Sequence, residues 1–405
     1  MELFKNTLTK VGILMSKIIL LKQLMIYLEN EELLYGDLLI EDGKIIRIAA
    51  SISEPADQII DASGEKWTAV PGFIDLHIHG AAGHDVMDAT YEAIDGISRA
   101  LPAEGTTSFL ATTMTQSEEA ITRAVSAAGN FGKKQPASGQ AEMLGIHLEG
   151  PFISPSKAGA QPSAFITLPS NGLFDQWQKE SGGMIRLTTS APEMEGGQTF
   201  ISHVSNSGVT ASIGHSDAAY SEVEQAVSNG ANHVTHLFNQ MSPLHHREPG
   251  VVGASFLLNE LSVEMIVDFV HIDPNAVKLA YLTKGADRTI LITDAIRAKG
   301  LPDGKYDLGG QEVFVKDKEA RLSDGTLAGS ILTMQEAVLN MRKLIGITIK
   351  ELVAITSKNA AKQIGVWDRK GSIQEGKDAD IVIVSEHYDV VLTICRGEIT
   401  FTKEE

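Results

Sequence analysis

The stretch Phe73-Ile74-Asp75-Leu76-His77-Ile78-His79-Gly80 places two histidines two residues apart at the end of an apolar, β-branched run. Alternate residues of a β-strand project from the same face, so the side chains of His77 and His79 are expected to point the same way. Two imidazoles on one face suit a shared metal ion. A single His-x-His pair is weak evidence, and its weight depends on whether further ligands follow at equivalent positions.

Seven more apolar, strand-like runs follow at intervals that leave room for helices. The eight runs cover residues 69–77, 106–113, 143–149, 185–191, 209–214, 232–237, 263–270 and 289–293. Helix-like segments stand in several of the gaps, at 91–103, 117–128, 220–229 and 274–282. This alternation predicts an α/β fold of the (β/α)₈ TIM-barrel type. A hairpin insertion is predicted after the last run, at 301–330, followed by helices near 333–345 and 349–363.

Both ends of the chain have the pattern of short strands. Asp42-Gly43 lies between two apolar segments and is a strong hairpin signal. Neither end has enough strands for a stable sheet, so we predict that residues 16–68 and 371–405 form one small β-sandwich domain, with the catalytic barrel at 69–370. Residues 1–15 are expected to be a disordered or non-native N-terminal extension. Because no signal-peptide cleavage site follows, Met15 is the expected natural start, which would make residues 1–14 an added segment.

The composition limits the partners and the compartment. The 405-residue chain carries a formal net charge of −18, which disfavours nucleic acid and anionic membranes as partners. No apolar run reaches the roughly 20 residues of a membrane-spanning helix. Cys395 is the only cysteine, so no intrachain disulfide is possible, and a reducing cytoplasm is expected.

Ionisable residues end most of the predicted barrel strands, where barrel enzymes carry their active sites. Six are of metal-ligand type: His77, His79, Glu149, His215, His236 and Asp294. A single histidine in such a place is more often structural, and a single carboxylate often caps a helix. Their convergence on one mouth predicts a metal site. Imidazole and carboxylate without thiolate suit one or two divalent ions of zinc, iron, manganese or cobalt.

Such a site indicates hydrolysis at a carbonyl or C–N centre. A metal-activated water would attack, and Asp294 would take its proton and deliver one to the leaving group. His147 and Asp75 face the same sides of their strands as the ligands, and we expect them to support the site.

These motifs resemble the amidohydrolase superfamily and, within it, the N-acetylglucosamine-6-phosphate deacetylase family. The superfamily resemblance rests on Pro71–His79, on the histidines and the aspartate that end the later strands, and on Gly371–Val382. The resemblance to the deacetylases rests on four stretches, His147–Phe152, Thr235–Asn239, His246–Gly250 and Thr326–Ser330. It covers nearly the whole chain from about residue 16. Glu149 stands where dihydroorotase- and hydantoinase-like relatives use a carboxylated lysine.

The resemblance implies metal-dependent hydrolysis of the acetamide of N-acetylglucosamine 6-phosphate to glucosamine 6-phosphate and acetate, in amino-sugar catabolism or cell-wall recycling. The principal ion would be held by Glu149, His215 and His236, with Zn²⁺ or Fe²⁺ favoured and Mn²⁺ or Co²⁺ as alternatives. A second ion would be held by His77 and His79, with Glu149 bridging. Asp294 would be the general acid/base.

The resemblance also implies the substrate contacts. His271 would bind a sugar hydroxyl or polarise the acetamide carbonyl. Arg247 would grip the 6-phosphate from the neighbouring subunit of a homodimer, since a guanidinium gives bidentate contacts to phosphate. The other implied substrate-lining residues are Ala160, Asn239, Gln240, Leu327, Ala328 and Gly329. Gln161 stands where other members carry histidine, which bears on the phosphate or sugar contacts and not on the reaction.

Two other functions stay open. An amidohydrolase acting on another N-acyl sugar or an N-acyl amino acid would use the same metal chemistry, and activity with and without the phosphate distinguishes it. A non-catalytic scaffold or sugar-phosphate sensor is possible because fold alone does not set function. The presence of all six candidate ligands disfavours that second alternative.

Overall fold

The computed structural model describes residues 17–404. The predicted extension over residues 1–15 lies outside the described residues. One sheet consists of eight parallel strands, each paired with the next along the chain. We number these strands barrel strands 1 to 8 in chain order. Their bounds are Phe73–Ile78, Thr106–Thr112, Glu142–Glu149, Ile185–Ser190, Thr210–Ile213, His233–Val234, Ser262–Ile266 and Thr289–Ile292.

The parallel sheet closes on itself between its first and last strands. The backbone N–H of Asp294 donates to the carbonyl oxygen of His77 over 2.8 Å, and the N–H of His79 donates to that of Ala295 over 2.9 Å. Almost all residues of the eight strands are buried, as expected when helices cover the outer face and side chains fill the interior. The predicted (β/α)₈ barrel is confirmed.

Helices surround the barrel, and all six helical segments predicted from the sequence are present. The α-helices span Tyr91–Ala100, Glu118–Lys134, Asn171–Glu180, Gly197–Asn206, Tyr220–Ser228, Gly250–Leu257, Pro274–Lys284, Met334–Ile345, Ile349–Val353 and Asn359–Gln363. A π-helical turn at Ala354–Lys358 joins the last two. Short 3₁₀ turns lie at Val86–Asp88, Leu101–Glu104, Pro155–Lys157, Ser163–Phe165 and Ala286–Arg288. The helices that begin at Gly197 and Gly250 have no side-chain N-cap, so no start signal marks them in the sequence.

Barrel strand 7 is shorter than predicted. It ends at Ile266, because the chain turns around Asp268, whose Oδ1 accepts the backbone N–H groups of Val270 and His271 over 2.9 and 2.8 Å. His271 therefore stands in a loop beyond the strand, and not at the strand end.

Strands from both ends of the chain form a second, mixed sheet of eight strands, which we call the terminal sheet. Its strands are Ile18–Tyr27, Leu33–Glu41, Lys44–Ala49, Gln58–Asp61, Thr68–Pro71, Ile381–Val384, Val390–Cys395 and Glu398–Thr402. The hairpin at Asp42-Gly43 is present, with φ of 48° and 78° at its two turn residues, as a tight two-residue turn requires. The prediction that the two chain ends together form a separate β-structure is confirmed.

The two ends of the chain meet where Thr68–Pro71 pairs antiparallel with Ile381–Val384. The domain boundaries at 68/69 and 370/371 stay predictions. The first of them falls inside the strand Thr68–Pro71.

An ion cluster joins the barrel to the segment that leads into the C-terminal strands. Glu142, at the start of barrel strand 3, accepts two hydrogen bonds from Arg369, of 3.0 and 2.6 Å, and lies 2.6 Å from Nζ of Lys370. Asp378 and Asp380 bind the same two cations from the other side. All charged groups of this cluster therefore have partners of opposite sign.

The predicted insertion after barrel strand 8 is a three-stranded antiparallel sheet of Gly304–Leu308, Gln311–Lys316 and Glu319–Leu322. A two-stranded ribbon, Gly80–Ala81 with His84–Asp85, lies after barrel strand 1. The apolar face of the insertion packs against Met114 and Ile296, and Nε2 of Gln311 donates to the carbonyl oxygen of Ala160 over 2.6 Å. The insertion thus forms one wall of the barrel mouth.

No helix within residues 17–404 combines the length and hydropathy needed to cross a bilayer.

Candidate metal centre and active site

A cavity of about 420 Å³ opens at the carboxyl ends of the barrel strands. Its walls come from the strand ends, from the loop after barrel strand 3 and from the insertion. The lining residues are His79, Met114, Glu149, Ala160, Gln161, His215, His236, Asn239, Gln240, His271, Asp294, Leu308, Arg321, Thr326, Leu327 and Gly329. Most of the residues that the sequence predicts for the site therefore meet in one place.

Three predicted ligands converge from barrel strands 3, 5 and 6. The Nε2 atoms of His215 and His236 each lie 3.2 Å from Oε1 of Glu149, and the two nitrogens lie 3.1 Å apart. Ligands about 2 Å from one tetrahedral ion are separated by about 3.3 Å. The three atoms are thus spaced as ligands of a single ion.

A second group is formed by His77, His79 and Asp294. Oδ1 of Asp294 lies 3.5 Å from Nε2 of His77 and 3.3 Å from Nε2 of His79. Glu149 stands between the two groups, because its Oε1 lies 3.4 Å from Nε2 of His77 and its Oε2 lies 3.3 Å from Nε2 of His79. One carboxylate faces both groups, which is the geometry that a bridging ligand needs.

The backbone has positive φ at three of these residues, 47° at His215, 30° at His236 and 48° at Asp294. Residues other than glycine rarely adopt this conformation, because it costs on the order of 1–3 kcal/mol per residue. Residues in this conformation cluster at functional sites. Each of the three comes just after a barrel strand and turns the chain there. A β-carbon at Gly214 would lie 2.7 Å from threonine side chains on either side, which explains the glycine before His215.

The donor set fits a divalent cation. Nε2 of His77 is buried and has no hydrogen-bond partner among residues 17–404. Burial disfavours the charged form of Glu149, but the neighbouring imidazoles, His77 first, outweigh it and hold the pKa of Glu149 well below its usual value. Burial by itself would lower the pKa of His79, but the carboxylates of Asp294 and Glu149 outweigh burial and raise this pKa to about 9. Buried carboxylates that attract positive charge, together with convergent imidazole nitrogens, are the surroundings that zinc, iron, manganese or cobalt binds.

One carboxylate that the sequence reasoning missed holds the ring of His77. Glu264 of barrel strand 7 is fully buried, with Oε2 at 3.1 Å from Nδ1 of His77 and Oε1 at 2.9 Å from Nε2 of His233. The backbone N–H of His236 also donates to Oε2 over 3.2 Å. A carboxylate behind a ligating histidine fixes its tautomer and directs the other nitrogen to the metal. The only sequence signal is a single acidic residue inside an apolar strand.

The two residues expected to support the ligands lie beside them. Nε2 of His147 is 2.7 Å from Oγ1 of Thr189, and its ring packs edge-on against His77 with centroids 4.5 Å apart. Asp75 accepts the backbone N–H of His77 over 3.2 Å and the hydroxyl of Thr293 over 2.6 Å. Asp75 thereby ties barrel strand 1 to barrel strand 8 beneath the candidate ligands.

The residues that the resemblance implies for the substrate divide into two sets. Six line the cavity, namely Ala160, Asn239, Gln240, His271, Leu327 and Gly329. Ala328 is buried between the last two of them. Arg247 is exposed and lies outside the cavity of its own chain, where its Nη1 is 2.8 Å from Nε2 of His246.

Gln161 contacts the candidate bridging ligand directly. Its Nε2 donates to Oε2 of Glu149 over 2.8 Å, and its Oε1 accepts the backbone N–H of Thr115 over 2.7 Å. An amide N–H is a permanent donor. Gln161 therefore fixes the orientation of the Glu149 carboxylate.

His271 is oriented by its neighbour Asp268. Nδ1 of His271 lies 2.6 Å from Oδ2 of Asp268, which leaves Nε2 as the ring nitrogen available to the cavity. Burial lowers the pKa of His271, but Asp268 outweighs burial and raises it above its usual value. This ring is thus held ready to donate from Nε2.

The barrel and its histidine–carboxylate donor set define the class, a metal-dependent hydrolase built on a (β/α)₈ barrel. The chain belongs to the amidohydrolase family, whose family model matches residues 68–400, and within it to the N-acetylglucosamine-6-phosphate deacetylases. It is 48% identical over 393 residues to the N-acetylglucosamine-6-phosphate deacetylase of Bacillus subtilis (strain 168), which covers 96% of this chain and 99% of that relative. The predicted family is therefore confirmed.

A relative with a different sugar in its name also matches. The chain is 34% identical over 368 residues to the N-acetylgalactosamine-6-phosphate deacetylase of Escherichia coli O157:H7, which covers 89% of this chain and 97% of that relative.

Solved structures agree with the family. The N-acetylglucosamine-6-phosphate deacetylase of Thermotoga maritima superposes with a TM-score of 0.85 at 36% identity, over 95% of this chain and 100% of that one. A Mycobacterium smegmatis variant in complex with N-acetyl-D-glucosamine-6-phosphate gives a TM-score of 0.87 at 30% identity, over 96% of this chain and 100% of that one.

Proposed function

We propose that this protein hydrolyses the acetamide of N-acetylglucosamine 6-phosphate, giving glucosamine 6-phosphate and acetate. The observation that carries the proposal is the Glu149–His215–His236 group facing Asp294 across one cavity, in a chain 48% identical to a relative named for this activity. When bound, a divalent cation lowers the pKa of a coordinated water and polarises a carbonyl oxygen. Zn²⁺ or Fe²⁺ is the proposed ion, with one or two per subunit.

Asp294 is the proposed general acid/base. It is buried, and although burial raises its pKa, His77 and His79 outweigh burial and lower it. The carboxylate is therefore ionised near neutral pH and accepts the proton of the attacking water. The proton then passes to the departing amine, which leaves as glucosamine 6-phosphate.

His271 and the cavity walls orient the sugar. The Nε2 atom of His271 donates to a sugar hydroxyl or to the acetamide oxygen. Asn239 and Gln240, which follow barrel strand 6, supply amide groups to the sugar, and Ala160 with Leu327–Gly329 forms the opposite apolar and backbone surface.

We further propose a homodimer in which Arg247 reaches the neighbouring active site. Arg247 does not line the cavity of its own chain. Exposed apolar side chains lie nearby in sequence, Leu244 at 55% and Leu257 at 64% of their maximal accessibility, as expected of a surface that a partner covers.

A phosphorylated sugar substrate and Cys395, which is buried and forms no disulfide, favour a cytoplasmic enzyme.

The experiment measures acetate release from metal-loaded protein with N-acetylglucosamine 6-phosphate and with unphosphorylated N-acetylglucosamine. We expect Asp294→Asn to reduce the turnover of N-acetylglucosamine 6-phosphate about 10²–10⁴-fold. Asp368→Asn, an exposed aspartate outside the cavity, is the matched control. Near-normal turnover by Asp294→Asn, with its metal content intact, contradicts the assigned mechanism.

The dimer has its own test. A subunit carrying Arg247→Ala retains Asp294, and a subunit carrying Asp294→Asn retains Arg247. If Arg247 acts across the dimer, mixing the two weakly active variants rebuilds one native site per mixed dimer and restores activity. Failure to restore activity after verified subunit exchange contradicts this role of Arg247.

The second candidate function is deacetylation of another N-acyl sugar. The match to an N-acetylgalactosamine-6-phosphate deacetylase favours N-acetylgalactosamine 6-phosphate as the competing substrate. The ratio of kcat/KM for the two sugar phosphates decides between them, and metal analysis of protein purified without chelators identifies the ion.

A further inference from the structure

One side chain of the cavity wall carries a permanent positive charge. Arg321 lies in the insertion strand Glu319–Leu322 and is the only lysine or arginine among the described residues that line the cavity. Its backbone pairs with that of Leu327, within the segment proposed to contact the sugar. Arg321 therefore lies beside the proposed substrate in the same subunit.

Two of the three guanidinium nitrogens of Arg321 donate hydrogen bonds to neighbouring residues. Its Nε donates to Oε2 of Glu319 over 2.6 Å, and its Nη1 donates to the carbonyl oxygen of Gly325 over 2.7 Å. Within residues 17–404, Nη2 has no hydrogen-bond partner. An arginine fixed at two nitrogens with a third free is preorganised to bind an oxyanion.

The charge of Arg321 acts inside the cavity. Burial and Arg321 both lower the pKa of His271, against the larger rise caused by Asp268. The guanidinium is thus close enough to His271 to influence a proposed substrate contact. Glu149 and Asp294 supply the acidic side chains of the same wall.

The substrate makes a cation at this place useful. A phosphate monoester carries about −1.5 to −2 charges near pH 7, and it must enter a cavity with two carboxylates on a chain of net charge −18. Arg247 is outside this cavity, so within one subunit the only side chain of Lys or Arg type offered by the described wall is Arg321.

We propose that Arg321 binds the phosphoryl group of the substrate from within the same subunit, and that Glu319 competes with this group for the guanidinium. The inference rests on the proposed deacetylase function. The side chains of Arg321 and Glu319 are 41% and 40% exposed, and an ion pair so exposed is weak. A dianionic phosphate displaces Glu319 readily, whereas an unphosphorylated sugar does not.

The test compares Arg321→Gln, Arg321→Lys and Glu319→Gln on N-acetylglucosamine 6-phosphate and on N-acetylglucosamine. Arg321→Gln is expected to raise KM for the phosphorylated substrate about tenfold or more, with little change in kcat and no change in KM for the unphosphorylated one. Arg321→Lys keeps the charge but loses the forked geometry. Its KM for the phosphorylated substrate is therefore expected to lie between those of the native enzyme and of Arg321→Gln. Glu319→Gln frees the guanidinium and is expected to lower KM for the phosphorylated substrate.

The matched control is Lys305→Gln, which removes the same charge from an exposed position of the same insertion outside the cavity. Metal content and thermal melting of each variant establish that it is folded. An Arg321→Gln variant with native KM for the phosphorylated substrate, or with KM raised equally for both substrates, overturns the inference while the deacetylase function stands. A native enzyme inactive on both substrates contradicts the deacetylase function instead.

Discussion

The carboxylate of Glu264 lies 3.1 Å from Nδ1 of His77 and 2.9 Å from Nε2 of His233, deep in the barrel interior. Burial opposes the charge on Glu264, but His233 and His77 outweigh it and hold the pKa of Glu264 well below its usual value. An ionised carboxylate on Nδ1 fixes the proton there. When a metal ion binds, Nε2 is then the nitrogen of His77 that would face it.

Glu264→Gln is expected to weaken metal binding at the His77 side of the site by about 10- to 100-fold, because the amide no longer fixes the tautomer of His77. Equilibrium dialysis with elemental analysis measures the effect. Glu224→Gln, an exposed glutamate on a surface helix, serves as the control. Unchanged affinity for both ions in Glu264→Gln would assign Glu264 to folding alone.

Replacing both His77 and His79 by asparagine is expected to remove the second ion first. The group formed by Glu149, His215 and His236 is intact in this variant, so it should bind about one ion per subunit where the native protein binds about two. His387→Asn, at an exposed histidine, should leave the metal content unchanged. Loss of all metal from the double variant would contradict the separation into two sites.

The convergence of the candidate ligands was predictable because each lies at or just after the end of a strand whose apolar pattern is plain, and because strand ends in a parallel barrel share one mouth. Glu264 was not predictable, because its role depends on which face of barrel strand 7 points inward, and a shift of one residue reverses that face. Arg321 was missed because its position depends on how the insertion folds over the mouth. No glycine or asparagine marks the left-handed backbone at His215 and Asp294, which tertiary packing imposes.

Asp268→Asn is expected to lower the pKa of His271, since burial then acts without the opposing carboxylate. The raised pKa of native His271 contributes stability that is present in full below the unfolded value of 6.5 and is lost as the pH rises through the folded value. Titration of the ring by NMR measures the shift. The alkaline limb of kcat/KM should move to lower pH in the variant, and an unmoved limb would remove protonated His271 from substrate binding.

The ion cluster at the base of barrel strand 3 predicts acid lability. Burial raises the pKa of Glu142, but Lys370 and Arg369 outweigh it and lower the pKa from 4.5 to about 2. The stability that Glu142 contributes is therefore present above pH 4.5 and is lost as the pH falls toward about 2. Glu142→Gln should cost about 3 kcal/mol at neutral pH and should flatten this dependence.

Urea denaturation at a series of pH values tests the role of Glu142. Glu180→Gln, at the exposed end of a helix, should keep the native dependence on pH. The idea fails if Glu142→Gln loses stability on acidification as steeply as the native protein.

The antiparallel pairing of Thr68–Pro71 with Ile381–Val384 also sets the order in which a nascent chain is able to fold. Each barrel strand pairs with the next one synthesised, so the barrel closes once barrel strand 8 has left the ribosome. One edge of Thr68–Pro71 must wait for strands made at the very end of translation. An open strand edge invites association with other chains. A chain whose synthesis stops before residue 381 would therefore contain all the candidate metal ligands together with an unpaired strand edge that is able to associate with other chains.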